Sequence, residues 1–196
     1  MGVRSPLINV MKRASEKAAR TLLRDFGEIE NLQTSSKGPD QFAHAAYRKA
    51  AEILRAELER ARPGMSVEIP PLPRTPDKRQ RQTAFADDPA FHVAPISGMD
   101  NFERAIPHWA IAIAYTENAR PQSVLVYAPL TDESFIAETG GGAFSRMRLR
   151  VSSQNRMEAA LAAFTPGNPK DEGKNTYLTR LLKACARPRI ASAPAL

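Results

Sequence analysis

The side chains of this chain that could carry chemistry are few and scattered. Asp87 and Asp88 stand together before Pro89, a pattern that reads as an exposed turn rather than a ligand pair. Asp100 reads as a turn residue capping the helix that follows it. The 3 histidines, His44, His92 and His108, share no metal-ligand spacing with one another or with Cys185. No glycine pattern of the nucleotide-binding kind and no serine-centred nucleophile elbow is present. Gly140, Gly141 and Gly142 suit a tight hairpin better than a phosphate cradle, because no helix follows them. The densest positive run, residues 74–81, holds Arg74, Lys78, Arg79 and Arg81 against Asp77 and contains no aromatic for base stacking. It reads first as a solvated loop, with an electrostatic patch for nucleic acid or another acidic partner as the alternative.

The elements that would hold these residues follow from periodicity. Leu7, Met11, Ala14, Ala18 and Leu22 recur at helical spacing, which predicts a helix over residues 6–26 stopped by Gly27. Phe42, Ala46, Ala50, Ile53, Leu54, Leu58 and Ala61 repeat the pattern over residues 42–61, so a packed helix pair is expected on one face of a sheet. Pro70, Pro71, Pro73 and Pro76 remove backbone donors and predict an extended, exposed loop over residues 70–83. Strand-like alternation then runs from Trp109 to Thr116, with alanines at 110, 112 and 114 on the second face, where helices could pack closely. Strands are also expected at 122–128, 133–138, 147–152, 160–165 and 187–191, with a helix at 175–185. Their hairpin spacing predicts an antiparallel sheet.

Composition bounds the rest. The chain of 196 residues, 42% hydrophobic and 25% charged, reads as a soluble globular protein of one domain or slightly more. A single cysteine allows no internal disulfide and fits a reducing compartment, and no signal-like or membrane-spanning run is visible, so a cytoplasmic location is expected. The net charge of +7 admits an acidic partner but is dispersed along the first helices.

One stretch carries a specific likeness. Ala94-Pro95-Ile96-Ser97-Gly98-Met99-Asp100-Asn101-Phe102 resembles the Asp-Pro-Leu-Asp-Gly-Thr-x-Asn-Phe signature of the inositol monophosphatase family, magnesium-dependent and lithium-sensitive phosphomonoesterases. Pro95, Gly98, Asn101 and Phe102 are in register. Further along, Ile106-Pro107-His108-Trp109 is similar to the family's Pro-His-Phe segment. Val126-Tyr127-Ala128-Pro129 is similar to its Val-Tyr-Asp-Pro turn, and residues 140–143 to its Gly-x-Gly-Ala hairpin. Lys37-Gly38 and residues 191–196 extend the likeness towards both ends.

The resemblance implies an α+β fold, the layered α-β-α-β-α sandwich of that family. Residues 1–153 would form a helix pair on an antiparallel sheet, and residues 154–196 a partial C-terminal half with its second sheet incomplete. It also implies a magnesium site built from carboxylates, and those positions have changed. The family's metal-binding aspartates fall on Ala94 and Ser97, its catalytic threonine on Met99, and the aspartate of its Thr-x-x-Asp element on Tyr47, with His44 at the threonine. Its Gly-Glu-Glu aligns with Ile69, Pro70 and Pro71. Magnesium needs oxygen ligands in octahedral array, and alanine, proline and methionine offer no side-chain oxygen. The expectation is therefore a non-catalytic binding or structural subunit with no metal and no cofactor. It would associate as a homodimer, the family's common state, or with another protein. Gly98, Met99 and Asp100 form a candidate anion-binding loop for a small phosphate. A magnesium-dependent phosphatase of inositol monophosphate is the first alternative, and a basic accessory protein acting through residues 74–81 the second.

Overall fold

The computed structural model describes residues 5–32, 39–72, 85–159, 161–164 and 187–190. The chain divides after Leu149 into two units, each described by itself. The first opens with two long helices, α1 (Pro6–Leu32) and α2 (Pro39–Ala61). Both begin on a proline, whose missing N–H is no loss in a first helical turn. Ser5 precedes α1 and its Oγ accepts the Ile8 N–H at 3.4 Å, the geometry of an N-cap.

Gly27 does not end α1, contrary to the sequence expectation. A Cβ built there would meet nothing within 4 Å, so the position lies on the open side of the helix. Phe26 and Ile29 continue the buried stripe beyond the point predicted as its stop. Burying those two side chains outweighs the roughly 1 kcal/mol that an interior glycine costs.

A mixed six-stranded sheet packs against the helix pair in the order β1 (Ser66–Glu68), β2 (Ala90–Ser97), β3 (Ala110–Glu117), β4 (Arg120–Ala128), β5 (Glu133–Glu138) and β6 (Gly142–Phe144). From β2 to β6 every pairing is antiparallel, but β1 runs parallel to β2, which corrects the all-antiparallel expectation. Neither β1 nor β2 was foreseen. A three-residue strand is too short to show a period. In β2 the obstacle is Pro95, which lies at the register irregularity between Ala94 and Ser97, where the ladder tolerates a residue without an N–H.

Register divides the sheet into two unlike faces. Val93, Ile113, Leu125 and Ile136 pair in one row and are buried with α1 and α2 in the core. Ala94, Ala112, Val126 and Phe135 form a row on the other face, half-buried and dominated by small side chains. After β2, Gly98 takes a left-handed conformation at φ 95° and the chain enters the single-turn helix α3 (Met99–Glu103). Fully buried Phe102 and Trp109, with Phe26 of α1 nearly so, form a ring cluster with centroids 5.0 to 5.6 Å apart.

The glycine turn after β5 is as expected, with positive φ at Gly140 and Gly142. Past it, residues 147–152 do not form the expected strand. Only Arg148 bridges back to Phe144, after β6 has been reached. The second unit holds a short 3-10 turn (Met157–Ala159) and a two-stranded parallel sheet of β7 (Leu161–Phe164) and β8 (Arg187–Ile190). The expected helix at 175–185 lies outside the described residues. Among the described residues no helix is long and apolar enough to cross a membrane.

Removing the Phe102 ring tests how the segment after β2 is held. Phe102→Ala is expected to lower unfolding free energy by about 3–5 kcal/mol, read from urea denaturation followed by circular dichroism.

Candidate functional site

Each degenerate family position sits on a defined element. Tyr47 lies in the middle of α2, Pro70 and Pro71 on the segment leaving β1, Ala94 and Ser97 on β2, and Met99 at the start of α3. Pro70, Pro71 and Ala94 line an open cavity of about 510 Å³ floored by Ala112, Ala114 and Val124. Tyr47 lines a second cavity of about 460 Å³ that shares Ile69, Pro70 and Pro71 with the first. The fold thus gathers Tyr47, Pro70, Pro71 and Ala94 about one prolyl ridge. Ser97 and Met99 line neither cavity, and Met99 packs against the core.

The four side chains of that ridge are neutral, while Glu68 lines the first cavity and Arg48, Glu52 and Arg55 the second. The Tyr47 hydroxyl donates to the Pro70 carbonyl at 2.7 Å, and burial raises its pKa, so the phenol stays a donor. Its oxygen is already engaged, while Ala94, Pro70 and Pro71 bring no side-chain oxygen at all. Among the described residues no three His, Cys, Asp or Glu side chains cluster closely enough to hold a metal ion. The residues at the family's ligand positions do not fit the magnesium ion that the fold family implies, because Tyr47, Pro70, Pro71 and Ala94 supply no anionic oxygen, and Glu68 and Glu52, which line the two cavities, belong to no cluster of three such groups among the described residues.

Beside the ridge stands a group of charges that sequence reasoning left undrawn. His44 of α2 reaches Glu103 of α3 at 3.5 Å. Burial, then the charge of Asp40, raises the Glu103 pKa, with Asp100 adding to the rise and His44 and Arg104 opposing it. Asp100 does not cap α3. Gly98 is the N-cap residue, with no side-chain cap bond, and its carbonyl accepts the N–H groups of Asn101 and Phe102 at 3.0 Å each. Glycine offers no side chain to compete, so the turn closes through backbone alone. Nearly buried Asn101 then pins the return to the sheet, with Nδ2 donating to the His108 carbonyl at 2.6 Å. His108 therefore contributes its carbonyl to this turn.

The other expected groups are dispersed. Asp87 and Asp88 are exposed in a bend before β2, and the Asp87 carbonyl accepts the Asn118 N–H at 2.9 Å. His92 faces the first cavity, with Nε2 3.0 Å from Thr116 Oγ1 and its ring 4.7 Å from that of Phe85. Arg74, Lys78, Arg79, Arg81 and Cys185 lie outside the described residues. No signal in the sequence pointed to the His44–Glu103 pair, since its members are far apart in the chain and meet only where α3 docks on α2.

A helix pair on one face of a mixed sheet, with a glycine-started turn leading from β2 into α3, defines an inositol monophosphatase-like α+β fold. The sequence model of the Inositol monophosphatase family matches residues 3–195, and the chain belongs to that family. It is 40% identical over 167 residues to an inositol-1-monophosphatase of Rhizobium meliloti, covering 83% of this chain and 59% of that one. A Nus factor SuhB of Vibrio cholerae is 26% identical, covering 97% of this chain and 70% of that protein. The crystal structure of the extragenic suppressor protein suhB from Bartonella henselae superposes with a TM-score of 0.74 at 33% identity, covering 96% of this chain and 71% of that one. This chain spans less than two thirds of the length of the inositol-1-monophosphatases it matches at 36–40% identity.

Two substitutions read the site. Tyr47→Phe removes the only side-chain donor on the Pro70 carbonyl among the described residues and is expected to destabilise by about 1 kcal/mol in urea denaturation. Glu103→Gln tests the raised carboxyl. A carboxylic acid whose pKa rises on folding stabilises the fold below its ordinary value of 4.5 and loses that contribution as pH climbs through the raised value. Stability of Glu103→Gln relative to the unaltered chain is therefore expected to increase as pH rises from 4.5, in thermal melts across the acid range.

Proposed function

We propose that this chain is a non-catalytic member of its family, a binding or structural subunit that works without magnesium and associates with itself or with another protein in the cytoplasm. One observation carries the reading. The ridge formed by Tyr47, Pro70, Pro71 and Ala94, where the family resemblance places carboxylates, carries none. Hydrolysis by the family route depends on metal ions that activate a water and stabilise the leaving oxygen. Losing even one group behind the ligands typically reduces metal affinity or activity about 10–100-fold. Here the ligand positions themselves are neutral.

The expected result is phosphate release from inositol 1-phosphate no faster than in buffer at saturating magnesium, together with no magnesium binding heat at millimolar ion. A second reading, a magnesium-dependent phosphatase of a small phosphate ester, is favoured by the relatives of 40% and 39% identity that carry the name inositol-1-monophosphatase. Magnesium-dependent, lithium-sensitive turnover abolished by Asp100→Asn would establish it. Relatives named Nus factor SuhB favour, more distantly, an accessory role for the basic residues Arg74, Lys78, Arg79 and Arg81. Binding that falls steeply with salt and weakens when those side chains are neutralised would mark that role. The loop of Gly98, Met99 and Asp100 remains part of the first reading as a phosphate-holding turn without turnover.

A further inference from the structure

The cations of α1 are spread among acids along the chain, but the fold gathers four of them into one row. Arg13, Lys17, Arg20 and Arg24 follow at intervals of four, three and four, which keeps them on one side of an α-helix. All four are exposed, opposite the stripe that α1 buries in the core. At a rise of 1.5 Å per residue the row is about 16 Å long. Glu28, the next exposed acid, stands one turn past Arg24 and closes it.

The acids near this row lie beneath it or to one side. Glu57 of α2 binds Lys17 Nζ at 2.6 Å and also holds Arg60, and Asp25 accepts from Arg24 at 3.0 Å. These two carboxylate side chains are 12% and 9% exposed, whereas those of Lys17 and Arg24 are 56% and 64% exposed. What faces solvent at both places is therefore the cation. Glu16 turns aside to Lys12 at 3.5 Å. Arg13 and Arg20 have no acidic partner among the described residues. Like charges at these spacings weaken a helix, so an unbroken row works against α1 itself.

We infer that the row of Arg13, Lys17, Arg20 and Arg24 binds the phosphate backbone of a nucleic-acid duplex without reading its sequence. Each strand of a duplex presents one phosphate per about 3.4 Å of axis, so the row spans roughly five of them. Three of the four residues are arginine, whose planar fork matches phosphate oxygens. The row carries no aromatic side chain, which removes the stacking that single-strand binding uses. An acidic protein would have to repeat carboxylates in a straight line at the same interval, whereas a phosphate polymer does so by its covalent structure. Insertion into a lipid surface is closed to α1, because its apolar side chains are committed to the core. The row involves neither the prolyl ridge nor the run at 74–81, and its test involves no phosphate release. Its failure is thus distinct from failure of the function proposed above.

The experiment titrates the full chain into a fluorescent DNA duplex of about two helical turns and follows anisotropy over a range of salt. Saturable binding is expected, with log affinity falling against log salt at a slope of about −3 or steeper, as four neutralised phosphates require. Arg13→Glu with Arg20→Glu is expected to weaken binding about tenfold or more and to flatten that slope by about two. Glutamate at either position stands four residues before Lys17 or Arg24, a favourable helical pair, so circular dichroism is expected to be unchanged. Neutralising Arg74, Lys78, Arg79 and Arg81 is expected to leave the effect of the α1 exchange in place. No binding at about 50 mM salt, or an unchanged slope in the folded α1 variant, would overturn the inference. So would a loss confined to the variant neutralised at residues 74–81, or binding of the row to phosphatidylserine vesicles alone.

Discussion

The ring cluster of Phe26, Phe102 and Trp109 is the contact on which the region after β2 depends. It joins the second half of α1, the whole of the short α3 and the entry to β3, with centroids between 5.0 and 5.6 Å. A five-residue helix has too few internal hydrogen bonds to stand alone. What fixes the turn into α3 and its return to the sheet is burial of Phe102 on one side and the Asn101 bonds on the other. None of these forces involves charge or a bound ion. The turn that carries Gly98 and Met99 therefore keeps its course whether or not a cation can be held near it, and in this fold scaffold and chemistry are separable.

That separation shapes how the segments around the ridge are tied together. A divalent ion among carboxylates would cross-link α2, the segment after β1 and the end of β2 through oxygen. Without neutralisation, such carboxylates would repel one another at close range. In this chain the same elements are joined by neutral or short-range means. The Tyr47–Pro70 bond ties α2 to the segment after β1, and the His44–Glu103 pair ties α2 to α3. Proline at 70 and 71 also restricts the backbone beside Tyr47 without help from a ligand. At Tyr47 and Pro70, positions where the resemblance places acids, the two residues make a contact that needs no metal.

Much of the scaffold was legible in the sequence because its elements bury one face and expose the other. The stripes of α1 and α2 and the alternation in β3 to β5 are imposed by contact with a single core, so period alone locates them. The likeness around residues 94–102 supplied the turn and its helix, which period could not. What was hidden has physical reasons. Gly27 carries a local signal that tertiary burial of Phe26 and Ile29 overrides, Pro95 disguises β2, and the direction of β1 is a pairing choice that no local pattern records. At the site, the identity of the changed positions could be read. Their convergence on Pro70 and Pro71 could not, because residue 47 and residues 70–71 meet only through the packing of α2 beside β1.

The two faces of the sheet contribute unequally to cohesion. The face towards α1 and α2 carries Ile113, Leu125 and Ile136, large side chains whose burial supplies cohesion. The face bearing Ala94, Ala112 and Ala114 carries little of that burial, and the larger cavity opens there. An aspartate exchanged for alanine at position 94 therefore alters a surface that the core does not need. The change also removes a desolvated charge that only an ion could have compensated. Cohesion rests on the first face, so alanine at position 94 leaves the hydrophobic register between the strands undisturbed.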